Sequence, residues 1–470
     1  MSETPTRPGS GHHNAKVIGV SIAAAVGGFL FGFDSSVING AVDAIESRFS
    51  LGSFTTGFVV AIALVGCAAG AWFAGSLADK WGRKKVMVLG SVLFTVSSLG
   101  SGLAFSVPDL MFWRLVGGLG IGIASVIAPA YIAEIAPAKW RGGLASLQQL
   151  AITIGIFAAL LSDAILQGAA GSASNDLWVG LEAWRWMFLV GVVPAVIYGL
   201  LAVTIPESPR FLVGKHLDEE AAEVLANITG EKRPDERVHE IRLTLRKEPK
   251  SSFQDIRGNK FGLHPIVWVG ITMAVLQQFV GINAIFYYST TLWQSVGFSE
   301  SESFTTSVIT AVINVVMTFV AILFVDRIGR RKLLLAGSVG MFVGLVLAAV
   351  SFSQQIGSGD DVSLPSPWGV VALVGANVFV VFFAATWGPI MWVLLGEMFP
   401  NRMRAMALGI GTAANWTANF AVTAAFPALS DKIGLWAVYG FFALMAALSF
   451  VFVKSKIPET KGTELEDNKN

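Results

Sequence analysis

Twelve runs of about 20 mostly apolar residues constrain the fold of this chain more than any other feature. A helix needs about 20 apolar residues to cross a hydrocarbon layer roughly 30 Å thick. Only 14% of the 470 residues are charged, whereas a soluble chain carries about 25%. We therefore predict an all-α membrane protein with twelve spans. They cover residues 17–38, 56–77, 86–105, 110–132, 144–166, 186–205, 264–290, 305–325, 333–352, 370–395, 406–429 and 435–453.

Basic residues concentrate in the connections that follow even-numbered spans and in the segment after the last span. Two clusters stand out, Arg83–Lys85 and Arg330–Lys332, while the opposite connections carry mainly acids such as Asp176 and Glu300. Basic connections stay on the cytoplasmic side of a membrane. We expect both termini in the cytoplasm, and the polar start of the chain does not match a cleavable signal peptide.

The patterns that enzymes and metal sites require are absent from the sequence. Cys67 is the only cysteine and lies inside the second span, where a lone thiol usually acts as a small apolar side chain. The five histidines have no metal-ligand spacing, and there is no nucleophile elbow, phosphate-binding loop or catalytic acid pair. We predict no catalytic residue, metal or cofactor, and no nucleic-acid partner.

The two halves of the chain repeat each other. Three cytoplasmic segments recur six spans apart, and in one of them Glu and Arg keep the same spacing in both copies. The pairs are Asp79–Lys85 with Asp326–Lys332, Glu134–Arg141 with Glu397–Arg404, and Pro206–Arg210 with Pro458–Gly462. We infer a duplicated six-helix unit.

A charged insert separates the halves. Between Glu207 and Lys260 lie 22 of the 65 charged residues, with apolar residues at helical spacing. Those residues are Leu217, Ala221, Val224 and Leu225. This pattern predicts amphipathic helices on the cytoplasmic face, and a solvated linker is the alternative. The predicted divisions are a tail over 1–16, a bundle over 17–206, linker helices over 207–260, a bundle over 261–457 and a tail over 458–470.

With these features the chain resembles the sugar porter family of the major facilitator superfamily, which includes bacterial sugar–proton symporters and glucose transporters. The resemblance covers Val17 to Gly462. It implies two pseudo-symmetric six-helix bundles, a monosaccharide site between them at mid-depth, and alternating access.

The repeated cytoplasmic acids and bases are candidates for a gate. Asp79 with Arg83, and Glu134 with Arg141, can form ion pairs between helix ends that stabilise the outward-facing state. Exposed pairs contribute only about 0.2–1 kcal/mol each, so a network is needed. The alternative is that the charges only set topology. The candidate gate residues are Asp79, Arg83, Glu134, Arg141, Asp326, Arg330, Glu397 and Arg404.

A sugar site needs amides, which both donate and accept hydrogen bonds, and aromatic faces that cover C–H surface. The strongest local match to the family is Leu276–Asn283, in which Gly281 allows a helix break. Pro389 should kink the tenth span. By resemblance the pocket residues are Gln149, Gln277, Gln278, Asn283, Tyr287, Asn314, Trp392, Asn415 and Trp416.

For any single amide the alternative role is a hydrogen bond that holds two helices together. For Gln148 and Asn419 this role and sugar binding are equally favoured. Phe31 and Phe286 are candidates for the walls or for ordinary packing. Ala384 stands where the facilitative glucose transporters of animals have a glutamate, so it departs from them. Ile156 stands where a bacterial xylose symporter of the family has a pocket glutamine, and here the chain resembles the glucose transporters, which favours a hexose such as glucose.

Asp34 lies inside the first span and Arg114 inside the fourth. A charge within a span normally faces a polar cavity and has a partner. Burial raises the proton affinity of an acid and a nearby cation lowers it, so a carboxylate that gains and loses Arg114 can carry a proton. The alternative is a static ion pair. Asp163 is a second acid, which we expect near the outer face in contact with water.

The sequence thus predicts a proton-coupled hexose importer, monomeric and surrounded by lipid in a bacterial cytoplasmic membrane. One alternative is a passive sugar uniporter. A membrane sugar sensor is another, although sensors usually carry a long cytoplasmic tail.

Overall fold

The computed structural model describes residues 10–136, 141–247, 253–260, 262–357, 362–400 and 403–459, with side chains at all of these except 10–12, 141–146, 247, 253, 259, 260, 326 and 405. Within these residues eleven helical segments are long and apolar enough to cross a membrane. A further 30-residue helix, Arg404–Ile433, carries Asn415 and Asn419 and is less apolar. Together they account for the twelve predicted spans.

The first half contains eight helices, because its first and sixth spans are each made of two. The helices are α1 (Ser10–Ser36), α2 (Ile38–Phe49), α3 (Ser53–Trp81), α4 (Arg83–Gly102), α5 (Val107–Ile135), α6 (Arg141–Ala170), α7 (Ala183–Val190) and α8 (Val192–Thr204). A short antiparallel hairpin, β1 (Asp176–Trp178) and β2 (Leu181–Glu182), connects α6 to α7.

The insert folds into short helices with a small core of its own. Its elements are α9 (Pro209–Gly214), α10 (Asp218–Val224), a π-helical turn (Leu225–Thr229), α11 (Pro234–Lys247), a 3-10 turn (Phe253–Ile256) and β3 (Arg257–Lys260). Ala221 and Leu225 are buried against Leu212 and Val238, so the helices pack on one another. Leu217, expected on the buried face, is instead exposed, because it precedes the first turn of α10.

The second half repeats the first. Its helices are α12 (Pro265–Phe279), α13 (Ile282–Ser295), α14 (Glu300–Ile328), α15 (Arg330–Phe352), α16 (Trp368–Phe382), α17 (Gly388–Met398), α18 (Arg404–Ile433) and α19 (Leu435–Lys456). A π-helical turn, Phe383–Trp387, joins α16 to α17. Ser299 and Glu302 form a reciprocal capping box that fixes the start of α14.

The sixth span is interrupted at Gly191, between α7 and α8, and three other spans are interrupted as follows. The seventh breaks at Gly281, whose φ of +87° is accessible to glycine at little cost. The tenth changes to a π-helical turn just before Pro389, and at the start of α17 the missing N–H of a proline needs no partner. The first breaks at Val37, between α1 and α2.

The ends of the first span differ from the prediction. α1 begins at Ser10, inside the segment predicted as a tail, because its first turns pack against the insert, where Lys16 donates to the Asn227 carbonyl at 3.1 Å. At its other end the span continues to Phe49. This extension holds Asp43, Glu46 and Arg48, so hydropathy alone ended the predicted span too early.

The two ends of the bundle differ in what they carry. The starts of α1 and α4 and the end of α5 contact the insert, and we call this the linker end. The α2–α3 connection and the β1–β2 hairpin lie at the opposite end, the far end. The halves contact each other through α3 with α18, α6 with α14 and α2 with α13. These contacts define a seam between the halves, and alternating access works by the movement of one half against the other.

Candidate functional site

The break of the seventh span gathers four amides into one buried cluster. Asn283 donates to the Gln278 side-chain oxygen at 2.6 Å, and Gln278 donates to Asn415 at 3.2 Å. Asn415 in turn donates to the Gln277 side-chain oxygen at 2.8 Å. Gly281 makes this possible, because its left-handed backbone turns Asn283 back toward Gln278. The cluster offers both donors and acceptors, which a sugar hydroxyl needs.

Gln277 also holds the broken tenth span. Its side-chain nitrogen lies 3.0 Å from the carbonyl oxygen of Trp387 and 3.2 Å from that of Gly388. These carbonyls lie at the end of the π-helical turn, where the regular i to i−4 ladder is interrupted. Gln277 therefore holds the tenth span through its side-chain nitrogen and belongs to the amide cluster through its side-chain oxygen.

Aromatic side chains meet across the seam beside the amides. The rings of Phe31 in α1 and Trp416 in α18 are 5.8 Å apart. Tyr287 is buried, and its hydroxyl lies near Ser35 in α1 and Asn419 in α18. Because the seam is lined by rings and hydroxyls from both halves, a ligand there would contact both at once.

The other predicted pocket residues are not bonded to this cluster in the described contacts. Gln149 is half-buried in α6 and Asn314 is buried in α14. Trp392 lies one turn into α17 with 38% of its surface exposed. Gln148 packs against Gly28 of α1, inside the first half, which leaves its neighbour Gln149 as the better pocket candidate.

The structure brings Asp34 and Arg114 together, and both are buried. The Arg114 guanidinium donates to the backbone carbonyl of Asp34 at 3.2 Å, while its nearest carboxylate contact is at 4.0 Å. That carbonyl belongs to the last turn of α1, where carbonyls lose their intrahelical partners. Arg114 thus caps a broken helix, and Asp34 Oδ2 has no hydrogen-bond partner among the described residues.

Asp163 was predicted to be near water, and this is wrong. Its side chain is fully buried in α6, with Oδ2 accepting a hydrogen bond from the backbone N–H of Gly40 at 3.2 Å. The first span continues as α2 past Val37, and this extension covers the acid. The sequence prediction ended the span at residue 38 and so left nothing to cover it.

At the linker end, the predicted gate residues of the first half form a network. Arg83 pairs with Glu134 at 2.9 Å and with Asp79 at 3.3 Å. Glu134 also accepts a hydrogen bond from Ser208. The side chain of Arg141 lies outside the described part of the chain, so its predicted pairing with Glu134 cannot be placed. The network joins α3, α4, α5 and the start of α9.

The second half repeats this arrangement. Arg330 makes a two-pronged ion pair with Glu397, at 2.8 and 3.1 Å. Arg404 donates to the backbone carbonyl of Phe399 at 3.2 Å. The side chain of Asp326 is outside the described residues. In both halves the observed pairs connect helices of the same half, so they strengthen each bundle.

The third repeated signature supplies an acid to the start of a helix. Glu207 accepts from the backbone N–H groups of Arg83 and Lys84 at 3.0 and 3.2 Å. Glu459 accepts from those of Arg330 and Arg331 at 2.9 and 3.2 Å. N-terminal N–H groups of a helix lack intrahelical acceptors and favour an acid.

The far end holds contacts between the halves that the sequence analysis missed. Asn39 in α2 donates to the Phe286 carbonyl and to Ser289, both at 2.8 Å, and accepts from Thr290. Asp43 accepts from Thr291 and Gln294 of α13, both at 2.7 Å. Asn39 and Asp43 are four residues apart, so helical spacing beyond residue 38 was the available signal. We call Asn39, Asp43 and their α13 partners the far-end latch.

A second contact of this kind lies beside the latch. Glu300, at the start of α14, accepts from the backbone N–H of Ala173 at 2.8 Å and from the Ser172 hydroxyl at 3.3 Å. The far end of the seam is thus closed by direct hydrogen bonds between the halves.

Known proteins of the same length share this architecture. The family model described as "Sugar (and other) transporter" matches residues 20–470. The chain is 50% identical to the "Glucose transport protein" of Synechocystis sp. over 451 residues, 96% of each chain. It is 36% identical to the "Arabinose-proton symporter" of Bacillus subtilis, over 99% of this chain and 98% of that protein.

A solved structure agrees. The inward open conformation of the xylose transporter XylE from E. coli is 33% identical and has a TM-score of 0.82, with 96% of this chain and 99% of that one covered. Fold, length and sequence therefore agree with the resemblance, and the chain belongs to the sugar transporter family of the major facilitator superfamily, a family of secondary transporters rather than enzymes.

Proposed function

We propose that this protein is a proton-coupled importer of a hexose of the glucose type. The observation that carries the proposal is that one helix, α1, contributes to both sites. Phe31 faces Trp416 at the seam, and one turn later Asp34 is buried beside Arg114. A movement of α1 that follows the sugar therefore also moves the proton-binding carboxylate.

The amide cluster is the proposed sugar site. Gln278, Asn283 and Asn415 hydrogen-bond to one another, and a sugar can replace these bonds with its own hydroxyls. Trp416, Tyr287, Gln149, Asn314 and Trp392 complete the proposed pocket. Ile156 and Ala384 leave apolar surface in place of further hydrogen-bond partners, and a sequence half identical to a glucose transport protein favours glucose over a pentose.

Asp34 is the proposed proton carrier. Its carboxylate is held loosely, because Arg114 is hydrogen-bonded to the neighbouring carbonyl and not to the carboxylate itself. A small rotation of the guanidinium would bring the pair into direct contact, and a small movement of α1 would separate them. Each change alters the proton affinity of Asp34, which is the property that a coupling site needs.

The linker end is the proposed cytoplasmic side, since it carries the basic clusters. The far end then faces outward and is closed by the far-end latch. Together with the likeness to an inward open structure, this supports an inward-facing conformation. We further propose the domain divisions given above, with the helix of the first bundle starting at Ser10, and a monomer surrounded by lipid in the cell membrane.

Uptake into proteoliposomes tests the function. Purified protein would be given labelled glucose, xylose and arabinose, with and without an inwardly directed proton gradient. Accumulation of glucose above its equilibrium level only when the gradient is present is expected. Equilibration without accumulation would make the protein a uniporter, and binding without flux would make it a sensor.

A further inference from the structure

The break in the first span is capped from both sides by charged side chains of other helices. Arg114 of α5 donates to the carbonyl of Asp34 in the last turn of α1. Asp163 of α6 accepts from the N–H of Gly40 in the first turn of α2. A cation at the end of one helix and an acid at the start of the next both match the helix dipoles. Arg114 takes part in the proposed proton coupling, whereas Asp163 does not.

Asp163 has no other evident role. It is fully buried, and none of the ion pairs found among the described residues includes it. Its Oδ1 atom has no hydrogen-bond partner there. An acid is costly at such a site, so its contact with α2 needs a reason beyond packing.

The neighbours of Gly40 supply that reason. Asn39, the preceding residue, makes hydrogen bonds to α13 through both its side chain and its backbone carbonyl. Asp43, one turn later, makes the rest of the far-end latch. The backbone N–H of Gly40, which donates to Asp163, is thus in the turn of α2 that presents the far-end latch to the other half.

The fit between Asp163 and Gly40 is close. A Cβ atom added at Gly40 would lie 2.7 Å from Asp163 Oδ2 and 2.8 Å from its Cβ and Cγ. Real Cβ atoms do not approach so near, so any larger residue at position 40 would push α2 away from α6. The close spacing of α2 and α6 at this point therefore requires a glycine at position 40.

We propose that Asp163 is a positioning residue for transport: its carboxyl group holds the first turn of α2 so that Asn39 and Asp43 reach α13 and close the outer side. Loss of the hydrogen bond between Asp163 and Gly40 then favours the outward-open state. The inference builds on the proposed transport cycle, but it concerns the balance between two conformations, which can be measured without any sugar flux.

The test measures the distance between the halves at the far end. Spin labels at Thr55→Cys in α3 and Lys432→Cys in α18, two exposed positions, would report it by double electron–electron resonance in a Cys67→Ala background. Asp163→Ala removes the acceptor and is expected to raise the ratio of the long to the short distance about five-fold, the effect of one hydrogen bond. Asn39→Ala is the positive control, and Ser162→Ala is the matched neutral control on α6.

Two further variants distinguish the positioning role of Asp163 from a general loss of structure. Asp163→Asn keeps an acceptor for Gly40 and should restore the parent distance distribution. Gly40→Ala leaves the acid intact but displaces α2, and should shift the distribution as Asp163→Ala does. The proposal fails if Asp163→Ala leaves the distribution unchanged, or if Asp163→Asn shifts it equally.

The same variants distinguish this inference from the proposed function. If the parent shows no glucose flux but Asp163→Ala still shifts the distance, the positioning role stands and the transport proposal fails. If the parent concentrates glucose and the distance does not respond to Asp163→Ala, only the positioning role is overturned.

Discussion

Arg114 binds the backbone of Asp34 more closely than its carboxylate: the guanidinium lies 3.2 Å from the carbonyl oxygen and 4.0 Å from the nearest carboxylate oxygen. An ion pair kept only for stability would be expected to make the shorter contact through the carboxylate. The Asp34 carboxylate is therefore less tightly bound by Arg114 than the Asp34 carbonyl is, which is consistent with the proposed role of Asp34 as the proton carrier.

The first prediction follows from this geometry. Asp34→Asn keeps the size of the side chain but cannot carry the proton, so glucose binding and exchange should persist while accumulation driven by a pH gradient is lost. In the parent, accumulation should fall as external pH rises, because the site is then less often protonated from outside, and the variant should show no such dependence. Uptake into proteoliposomes at several external pH values measures both.

The control for this variant is Asp176→Asn, the same change at an exposed acid in β1, which should leave accumulation and its pH profile unaltered. If Asp34→Asn still concentrates glucose, the proton is carried elsewhere.

The second prediction concerns the amide cluster. Gln278→Ala removes the hydrogen-bond partner of the Asn283 side-chain nitrogen and that of the Asn415 side-chain oxygen. Asn283→Ala removes one contact of a half-buried side chain. Each should weaken glucose binding by about 1–3 kcal/mol, with Gln278→Ala at the upper end. Titration calorimetry gives the affinities, and Gln355→Ala, an exposed amide after α15, is the matched control. Unchanged affinity in both variants would place the sugar elsewhere.

The third prediction concerns the break at Gly281. An alanine there would need a left-handed φ of +87°, and its Cβ would lie 2.4 Å from the Phe442 ring. Gly281→Ala should therefore lower the free energy of unfolding by about 1–3 kcal/mol and also displace Asn283 from Gln278. Glucose binding should weaken together with thermal stability.

Gly409→Ala is its control, because a Cβ at Gly409 meets open space within α18 and alanine favours a helix. Normal glucose affinity in Gly281→Ala would show that the break does not position the amides.

The fourth prediction compares two partners of Arg83. The Glu134 side chain is 13% exposed, whereas that of Asp79 is 77% exposed. Glu134→Gln should lower the free energy of unfolding by about 1.5–3 kcal/mol, since it weakens charge-assisted bonds in a partly buried site. Asp79→Asn should cost no more than about 1 kcal/mol. Thermal unfolding followed by tryptophan fluorescence measures both, and equal shifts would contradict the argument from burial.

Hydropathy and repetition were enough to predict the spans, the two halves and the break at Gly281, because each depends on local sequence. Four of the amides that the sequence singled out, Gln277, Gln278, Asn283 and Asn415, lie together in the structure, whereas Gln149 and Asn314 are not bonded to them. Contacts between segments that are distant in the sequence could not be predicted. Asp163 was placed in water, because nothing in the sequence says that α2 folds over it.

The partners of charged residues were the least predictable part of the site. The prediction paired Glu134 with Arg141, whose side chain lies outside the described residues, and did not foresee that Glu134 also pairs with Arg83 from another helix. Asn39 and Asp43 were overlooked because they follow the apolar run, and their partners lie about 250 residues away in α13. Hydrogen bonds over such separations depend on how the halves dock, which periodicity does not encode.

The acids Glu207 and Glu459 have a mechanical consequence. Each acid follows the last span of its half and accepts hydrogen bonds from the start of the third span of that half. These bonds hold the end of each half to its third span. We therefore expect each half to deform most easily where a span is interrupted, and two of these breaks are at Val37 and Gly281. They lie beside the residues proposed to hold the proton and the sugar, so a movement at either break would reach a proposed site directly.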